Sequence, residues 1–292
     1  MPEWLNGVVS KTAIPVRVSE VRILLSPPLH MDDFTKELAV AKDIARRAGA
    51  TMLQYFRVGS GEEQKADGSP VTVADKTINR MVIEELEKNF ADVVIGEEES
   101  TGEYGAGRRW ICDPIDGTKA YVWGVPTAMF SLGLAVDGVP VLGVAYDPFL
   151  DTMYEAVRGN GSYCNGKPIH VSQKKLSEGY VAITSSPEKT IRNAACVEYL
   201  IKHGARLAVF SGSVYKMCLV ARGSFLGYLE EGISGYDTAA AHVIVEEAGG
   251  MVTGLDGAAL SYLEPFKAAI FSNGVVHDAL VESAKGLKKL EV

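Results

Sequence analysis

The stretch "AMFSLGLAVDGVPVLGVAYDP" constrains this chain more than any other. Two apolar, strand-like runs flank Asp137-Gly138. An Asp-Gly pair in that setting predicts a type I′ hairpin, because both central residues of such a turn need positive φ. The next run, "TMYEAVRGNGSYCNG", adds a third strand and a glycine-rich turn. Successive hairpins predict a mostly antiparallel sheet with helices packed beside it, rather than a purely parallel architecture.

The helices are legible from spacing. Apolar residues recur from Phe34 to Phe56 at Phe34, Leu38, Ala41, Ile44, Ala45, Ala48 and Leu53, which predicts an amphipathic helix. The polar stretch from Gly59 to Pro70 reads as a loop long enough to be functional. A second helix is expected from Lys76 to Asn89, with Ile78, Met81, Val82 and Leu86 facing inward and Asp75 as its N-cap. From about Ile169, strand-like and helix-like segments alternate, from "YVAITSS" to "AAIFSNG". The expected organisation is an α+β half over 31–168 with an antiparallel sheet, then a smaller α/β half over 169–292.

Residues 1–30 fit neither half. They carry no sustained period, and Pro27-Pro28 interrupts them just before Met31. The segment reads either as translation from a start codon set upstream of a natural start at Met31, or as a flexible tail.

Composition narrows the function. With 47% hydrophobic and 23% charged residues the chain is globular. A net charge of −8 and the absence of a lysine- or arginine-rich stripe argue against a nucleic-acid polymer as partner. No apolar run approaches the roughly 20 residues of a membrane span. Cys112, Cys164, Cys196 and Cys218 are scattered, which suits a reducing cytoplasm, and the five histidines are isolated, which argues against a zinc site. A small anionic substrate fits such an acidic chain if metal ions supply the positive charge.

Several acids stand at the ends of apolar runs. Asp67 and Asp75 lie in "KADGSPVTVAD", where a loop acid and a helix cap are the simple reading. Glu97, Glu98 and Glu99 leave "VVIG", as a strand delivering side chains to a sheet edge would. "WICDPIDGT" is the most pointed. Pro114 keeps Asp113 extended, and Gly117 permits a tight turn. N–H groups near Gly117 and Thr118 make a phosphate seat if a helical turn begins there. Carboxylates beside an anion seat conflict unless divalent cations lie between, and hard oxygen ligands select Mg²⁺, Mn²⁺ or Ca²⁺. Asp237 precedes the small-residue run "TAAAHVIVEEAGG", where an N-cap role and metal ligation are compatible.

Taken together, "KADGSPVTVAD", "GEE", "WICDPIDGT" and "GYDTAAAHVIVEEAGG" resemble the inositol monophosphatase superfamily of Mg²⁺-dependent, lithium-sensitive phosphatases, and the likeness runs from Met31 to Val292. The resemblance implies an α/β (α+β) fold, a layered αβαβα sandwich of the inositol monophosphatase and fructose-1,6-bisphosphatase type. It implies a first Mg²⁺ on Glu97, Asp113 and the Ile115 carbonyl, and a second on Asp113, Asp116 and Asp237. A third ion can follow through Glu97, and Mn²⁺ can substitute. Most of these ligands fall in the first half. Asp75 and Thr118, with Glu97, would orient and deprotonate the attacking water, with Glu98 in support and Lys65 on a mobile loop. Gly117 and Thr118 would hold the phosphate, while Ser211, Gly212, Ser213 and Glu230 would touch the alcohol portion.

The implied enzyme is a cytoplasmic, dimeric phosphoric monoester hydrolase acting on inositol 1-phosphate. Histidinol phosphate, fructose 1,6-bisphosphate and 3′(2′),5′-bisphosphate nucleotides are the alternatives, because "GTKAY" leans to bacterial and archaeal relatives. Tyr236 and Ala241 depart from the tryptophan and glycine common in the family. A haloacid-dehalogenase-type phosphatase is the nearest chemical rival, but its D-x-D-G-T motif is one residue shorter than D-P-I-D-G-T. On an extended backbone the longer spacing places the two carboxylates on opposite faces. A silent metal- or phosphate-binding protein on the same fold is the third reading.

Overall fold

The computed structural model describes residues 33–56, 63–64 and 70–287; the first thirty residues and the expectation about Met31 lie outside them. Helix α1 (Thr35–Tyr55) buries Ala41, Ile44, Ala45, Ala48, Gly49 and Met52. Leu53, expected inside, is half exposed, and Met52 takes the inward position as the apolar stripe drifts around the helix. The loop expected over 59–70 contains, at its described ends, a two-residue pairing of β1 (Glu63–Gln64) with β2 (Pro70–Val71). Helix α2 (Val73–Asn89) begins three residues before the expected start.

A seven-stranded sheet follows, in spatial order β3 (Val93–Gly96), β4 (Arg108–Asp116), β5 (Met129–Val136), β6 (Val139–Asp147), β7 (Thr152–Val157), β8 (Ser162–Cys164) and β9 (Lys167–Pro168). Only β3 and β4 run parallel. The β5–β6 turn has φ of 48° at Asp137 and 78° at Gly138, as a type I′ hairpin requires. The short helix α3 (Thr118–Val122) leaves the end of β4 and is tied to α1 by the Tyr121 hydroxyl, which donates to the Met52 carbonyl at 2.7 Å.

The remaining residues build a five-stranded sheet from β10 (Tyr180–Ile183), β11 (Arg206–Val209), β12 (Gly227–Glu231), β13 (Met251–Thr253) and β14 (Ala268–Ser272), ordered β11-β10-β12-β14-β13. Its helices are α4 (Pro187–Arg192), α5 (Ala194–Lys202), α6 (Ser213–Ala221), α7 (Gly235–Glu247) and α8 (His277–Ala284). Helices α1 and α2 cover one face of the large sheet, while α6 and α7 fill the layer between the two sheets. On the far face of the small sheet lie α5 and α8. The fold is therefore a five-layer αβαβα sandwich.

Central layering explains the composition of α7. A helix buried all round has no polar face to show, and α7 is Ala- and Val-rich along nearly its whole length. Its approach to the large sheet is set by two strand glycines. A Cβ on Gly133 would stand 2.8 Å from the Ala239 carbonyl carbon, and one on Gly143 would stand 2.2 Å from the Ala240 oxygen. Bare backbone at both positions lets α7 lie directly on β5 and β6, which fixes the height at which Asp237 emerges.

Candidate active site

Strand β4 delivers two carboxylates, and it does so by breaking its own alternation. Asp113 stands opposite Ser131 and Asp116 opposite Met129, so three steps along β4 match two along β5. The extra residue is a β-bulge, which shifts the alternation by one and turns both side chains the same way. The opposite-face expectation is corrected by this bulge. Pro114 sits inside it, where its missing N–H costs no ladder bond.

Asp237 supplies the third carboxylate. It is not the N-cap of α7, as expected, but the N3 member of a capping box whose N-cap is Ser234. The Ser234 N–H donates to Asp237 Oδ2 at 2.6 Å. Asp75 is corrected in the same way: Thr72 caps α2, and its N–H and hydroxyl donate to Asp75 Oδ2 at 2.7 and 2.6 Å. Asp75 Oδ1 is buried and has no hydrogen-bond partner among the described residues.

One oxygen from each of Asp113, Asp116 and Asp237 falls in a group spanning no more than 4.8 Å. Asp113 Oδ1 accepts the Ile115 N–H at 3.0 Å, and the Ile115 carbonyl accepts the Thr118 hydroxyl at 3.0 Å. Asp116 is held from the other side of the molecule. The Ser213 and Val214 N–H groups, at the start of α6, donate to its two oxygens at 3.0 and 2.8 Å. That reach requires Gly117 and Gly212 to touch, and a Cβ on Gly117 would meet the Gly212 Cα at 3.1 Å. Both glycines have positive φ, 82° and 101°. Gly117 also caps α3, so a helical turn does open at Thr118.

Glu97 follows β3 and donates its N–H to the Cys112 carbonyl at 3.1 Å. Its charge acts on Asp75, Asp113, Asp116 and Asp237 alike, although it stands outside the three-carboxylate group. Glu98 acts on Asp75 in the same way. Asn79, one turn beyond Asp75, holds this acidic turn in place by donating to the Glu99 carbonyl at 2.9 Å. Lys65 lies outside the described residues.

The electrostatics suit a cation. Burial, then Glu97 and the neighbouring aspartates, pushes Asp113 well above the usual carboxylate range. Asp237 is pushed well up by burial and by Asp116. Burial also lifts Asp116 to about 7, against the pull of the Ser213 and Val214 N–H groups and of Lys216. Burial raises Asp75 to about 7, with Glu97 and Glu98 adding to the effect. Clustered hard oxygen donors that the protein's own cations do not match suit a small divalent ion, so these residues fit such a group.

Of Ser211, Gly212, Ser213 and Glu230, the structure brings Ser213 and Glu230 together, with Gly212 against Gly117 and the Ser213 N–H on Asp116. Tyr228 bridges them, bonding both the Ser213 Oγ, at 3.0 Å, and Glu230 Oε2. Sequence reasoning missed Lys216. This lysine is 1% exposed, its ammonium lies 3.5 Å from Glu230 Oε2, and it donates to the Ile183 carbonyl at 3.2 Å. It also missed Asn79, the caps Thr72 and Ser234, and the seating of α7 on Gly133 and Gly143. Thr72 and Ser234 had a readable signal, a Thr or Ser three residues before an Asp.

Comparison with known proteins agrees with this geometry. The sequence profile of the inositol monophosphatase family matches residues 33–289. A "Fructose-1,6-bisphosphatase/inositol-1-monophosphatase" of Aquifex aeolicus is 32% identical over 272 residues, covering 90% of this chain and 99% of that protein. A "Histidinol-phosphatase" of Chlorobaculum parvum is 35% identical over 229 residues, 74% of this chain and 85% of that protein. Among solved structures, the IMPase of Thermotoga maritima superposes with a TM-score of 0.78 at 29% identity, covering 86% of this chain and 98% of that one.

Proposed function

This chain belongs to the inositol monophosphatase family of phosphatases, and on that premise we propose that it hydrolyses a small phosphorylated alcohol with the help of divalent cations, Mg²⁺ foremost. The observation that carries the reading is the convergence of Asp113, Asp116 and Asp237 within 4.8 Å, beside a backbone turn that opens a helix. Asp113, Asp116, Asp237, Glu97 and the Ile115 carbonyl would hold two or three ions. Bound there, such ions neutralise phosphate charge and acidify water.

The protein's own contributions follow from its contacts. Asp75 Oδ1 is an unpartnered buried acceptor on a carboxyl lifted to about 7, which suits a base taking a proton from water near neutrality. Thr118 fixes the Ile115 carbonyl through its hydroxyl and, with Gly117, turns N–H groups to the phosphate. Ser211, Gly212, Ser213 and Glu230 border the position of the alcohol portion. Inositol 1-phosphate is the reference substrate, and histidinol phosphate, fructose 1,6-bisphosphate and nucleoside bisphosphates are its alternatives. The reading extends to a cytoplasmic, lithium-sensitive homodimer. No helix among the described residues is long and apolar enough to cross a membrane.

Phosphate release from those four substrates, with Mg²⁺ and with a chelator, tests the proposal. Metal-dependent release from at least one is expected. Failure of metal to stimulate release from any of them overturns the reading and favours a binding protein.

A further inference from the structure

Glu230 is the group that the family resemblance offers for reading the alcohol's hydroxyls, yet its acceptor capacity is taken up within the protein. A carboxylate presents about four lone-pair positions. Oε1 accepts the Thr184 hydroxyl at 2.9 Å and the Lys189 ammonium at 3.4 Å. Oε2 accepts the Tyr228 hydroxyl and pairs with Lys216 at 3.5 Å. Thr184, Tyr228 and Lys216 are buried and Lys189 is partly so, and a substrate hydroxyl could enter only by displacing one of these donors.

Charge in this wall leans the other way. Two ammonium groups flank one carboxylate. Lys216 is sealed in, stacked 4.5 Å from the centre of the Tyr228 ring. Lys189 is different: its side chain keeps 27% of its surface exposed. One of its three N–H groups goes to the Glu231 carbonyl at 2.7 Å and one to Glu230. The third has no partner among the described residues. The wall is joined to Asp116 through Tyr228 and Ser213. Among the described residues, the accessible cation of this wall is therefore Lys189.

We propose that Lys189 rather than Glu230 reads the alcohol portion, so the site prefers phosphorylated alcohols carrying a second anionic group over neutral polyol monophosphates. This rests on the phosphatase reading above and selects among its substrates. A charge-assisted hydrogen bond from a partly desolvated lysine supports a preference of about tenfold in kcat/KM.

The test compares kcat/KM for fructose 1,6-bisphosphate, 3-phosphoglycerate and inositol 1-phosphate at saturating Mg²⁺. Wild type is expected to favour fructose 1,6-bisphosphate about tenfold over inositol 1-phosphate. If 3-phosphoglycerate shares the preference, the second group is any anion; if not, it is a phosphate. Either outcome supports the proposal. In Lys189→Met the preference should collapse through KM, and Lys189→Arg should restore it. If Lys189→Met does not fold, the wild-type ratios and Lys189→Arg decide. Turnover of all three substrates with a flat ratio, or a ratio unchanged in Lys189→Met, overturns this proposal alone. Absence of metal-dependent release from every substrate overturns the phosphatase reading with it.

Discussion

Asp116 is a buried carboxylate and Glu230 a partly buried one, linked through Ser213 and Tyr228, and their surroundings drive them in opposite directions. Around Asp116 the neighbours are Asp113, Asp237 and Glu97, and burial lifts its pKa to about 7. Around Glu230, burial works the same way, but Lys216, the Tyr228 hydroxyl, Lys189 and Thr184 outweigh it and hold the carboxyl below its usual range. The same side-chain chemistry thus serves two ends. The Glu230 carboxylate is complete in itself, whereas the Asp116 cluster is unmatched and, on the proposed function, receives charge. That contrast separates acids that repel one another from an acid matched by cations more sharply than burial or sequence motif does.

Substituting each acid breaks the contrast in a diagnostic way. Asp116→Asn should lower turnover beyond the roughly hundredfold loss typical when a mere outer partner of a metal ligand is removed. Its thermal melt should stay close to wild type, because removing one of several repelling charges offsets a weakened bond to Ser213 or Val214. Most activity surviving at saturating Mg²⁺ would count against the metal assignment. Glu230→Gln should behave in reverse as far as stability goes. Leaving Lys216 buried and unmatched should cost about 3 kcal/mol in a denaturant titration. An unchanged midpoint would show that the cluster around Glu230 is not the self-sufficient unit described.

Gly133→Ala asks whether the acid side depends on shape as well as charge. The added methyl would press on the α7 backbone at Ala239 and Ala240, costing about 1–3 kcal/mol. By displacing Asp237 it should also lower kcat, since misplacement by about an ångström can cost as much as hundredfold. Normal activity in a destabilised variant would separate the seating of α7 from the site.

The pH dependence of melting should show both regions at once, though the shifts are the smallest of these effects. Asp75 and Asp116 have folded values of about 7 against unfolded values near 4. Their contribution to stability is therefore present below about pH 4 and lost as pH rises through about 7. Glu230, with a lowered folded value, contributes stability above its unfolded value and loses it as pH falls through the folded one. In chelator, Tm should decline from about pH 5 to 8, and saturating Mg²⁺ should flatten that decline by binding the ionised carboxylates. A Tm rising across that window in chelator would contradict the raised values.

The acids of the charge-receiving region could be seen in the sequence, whereas what holds them, and the Lys216 that completes the Glu230 region, could not. Asp113, Asp116 and Asp237 stand at the ends of apolar runs, and strand and helix ends are local signals. The Asp137-Gly138 turn was equally local, because two positive φ values narrow the residue choice. The bulge at Pro114 depends on pairing with Ser131 and Met129, which no window around β4 contains. Lys216 sits on a helix whose period leaves its burial undecided, and it is buried because Glu230 arrives from another strand. Leu53 and Met52 exchanged places for a similar reason, as helix rotation is set by what packs against it.

The attachment of Asp116 to α6 has a consequence for the timing of synthesis. Its N–H partners lie 97 and 98 residues further along the chain, and Asp237 comes later still. Contacts of such separation must overcome a large loop-closure entropy and form late. A nascent chain can finish the hairpins of its large sheet while its aspartates remain unassembled. On the proposed function, ribosome-bound protein therefore stays inert until α7 has emerged and docked.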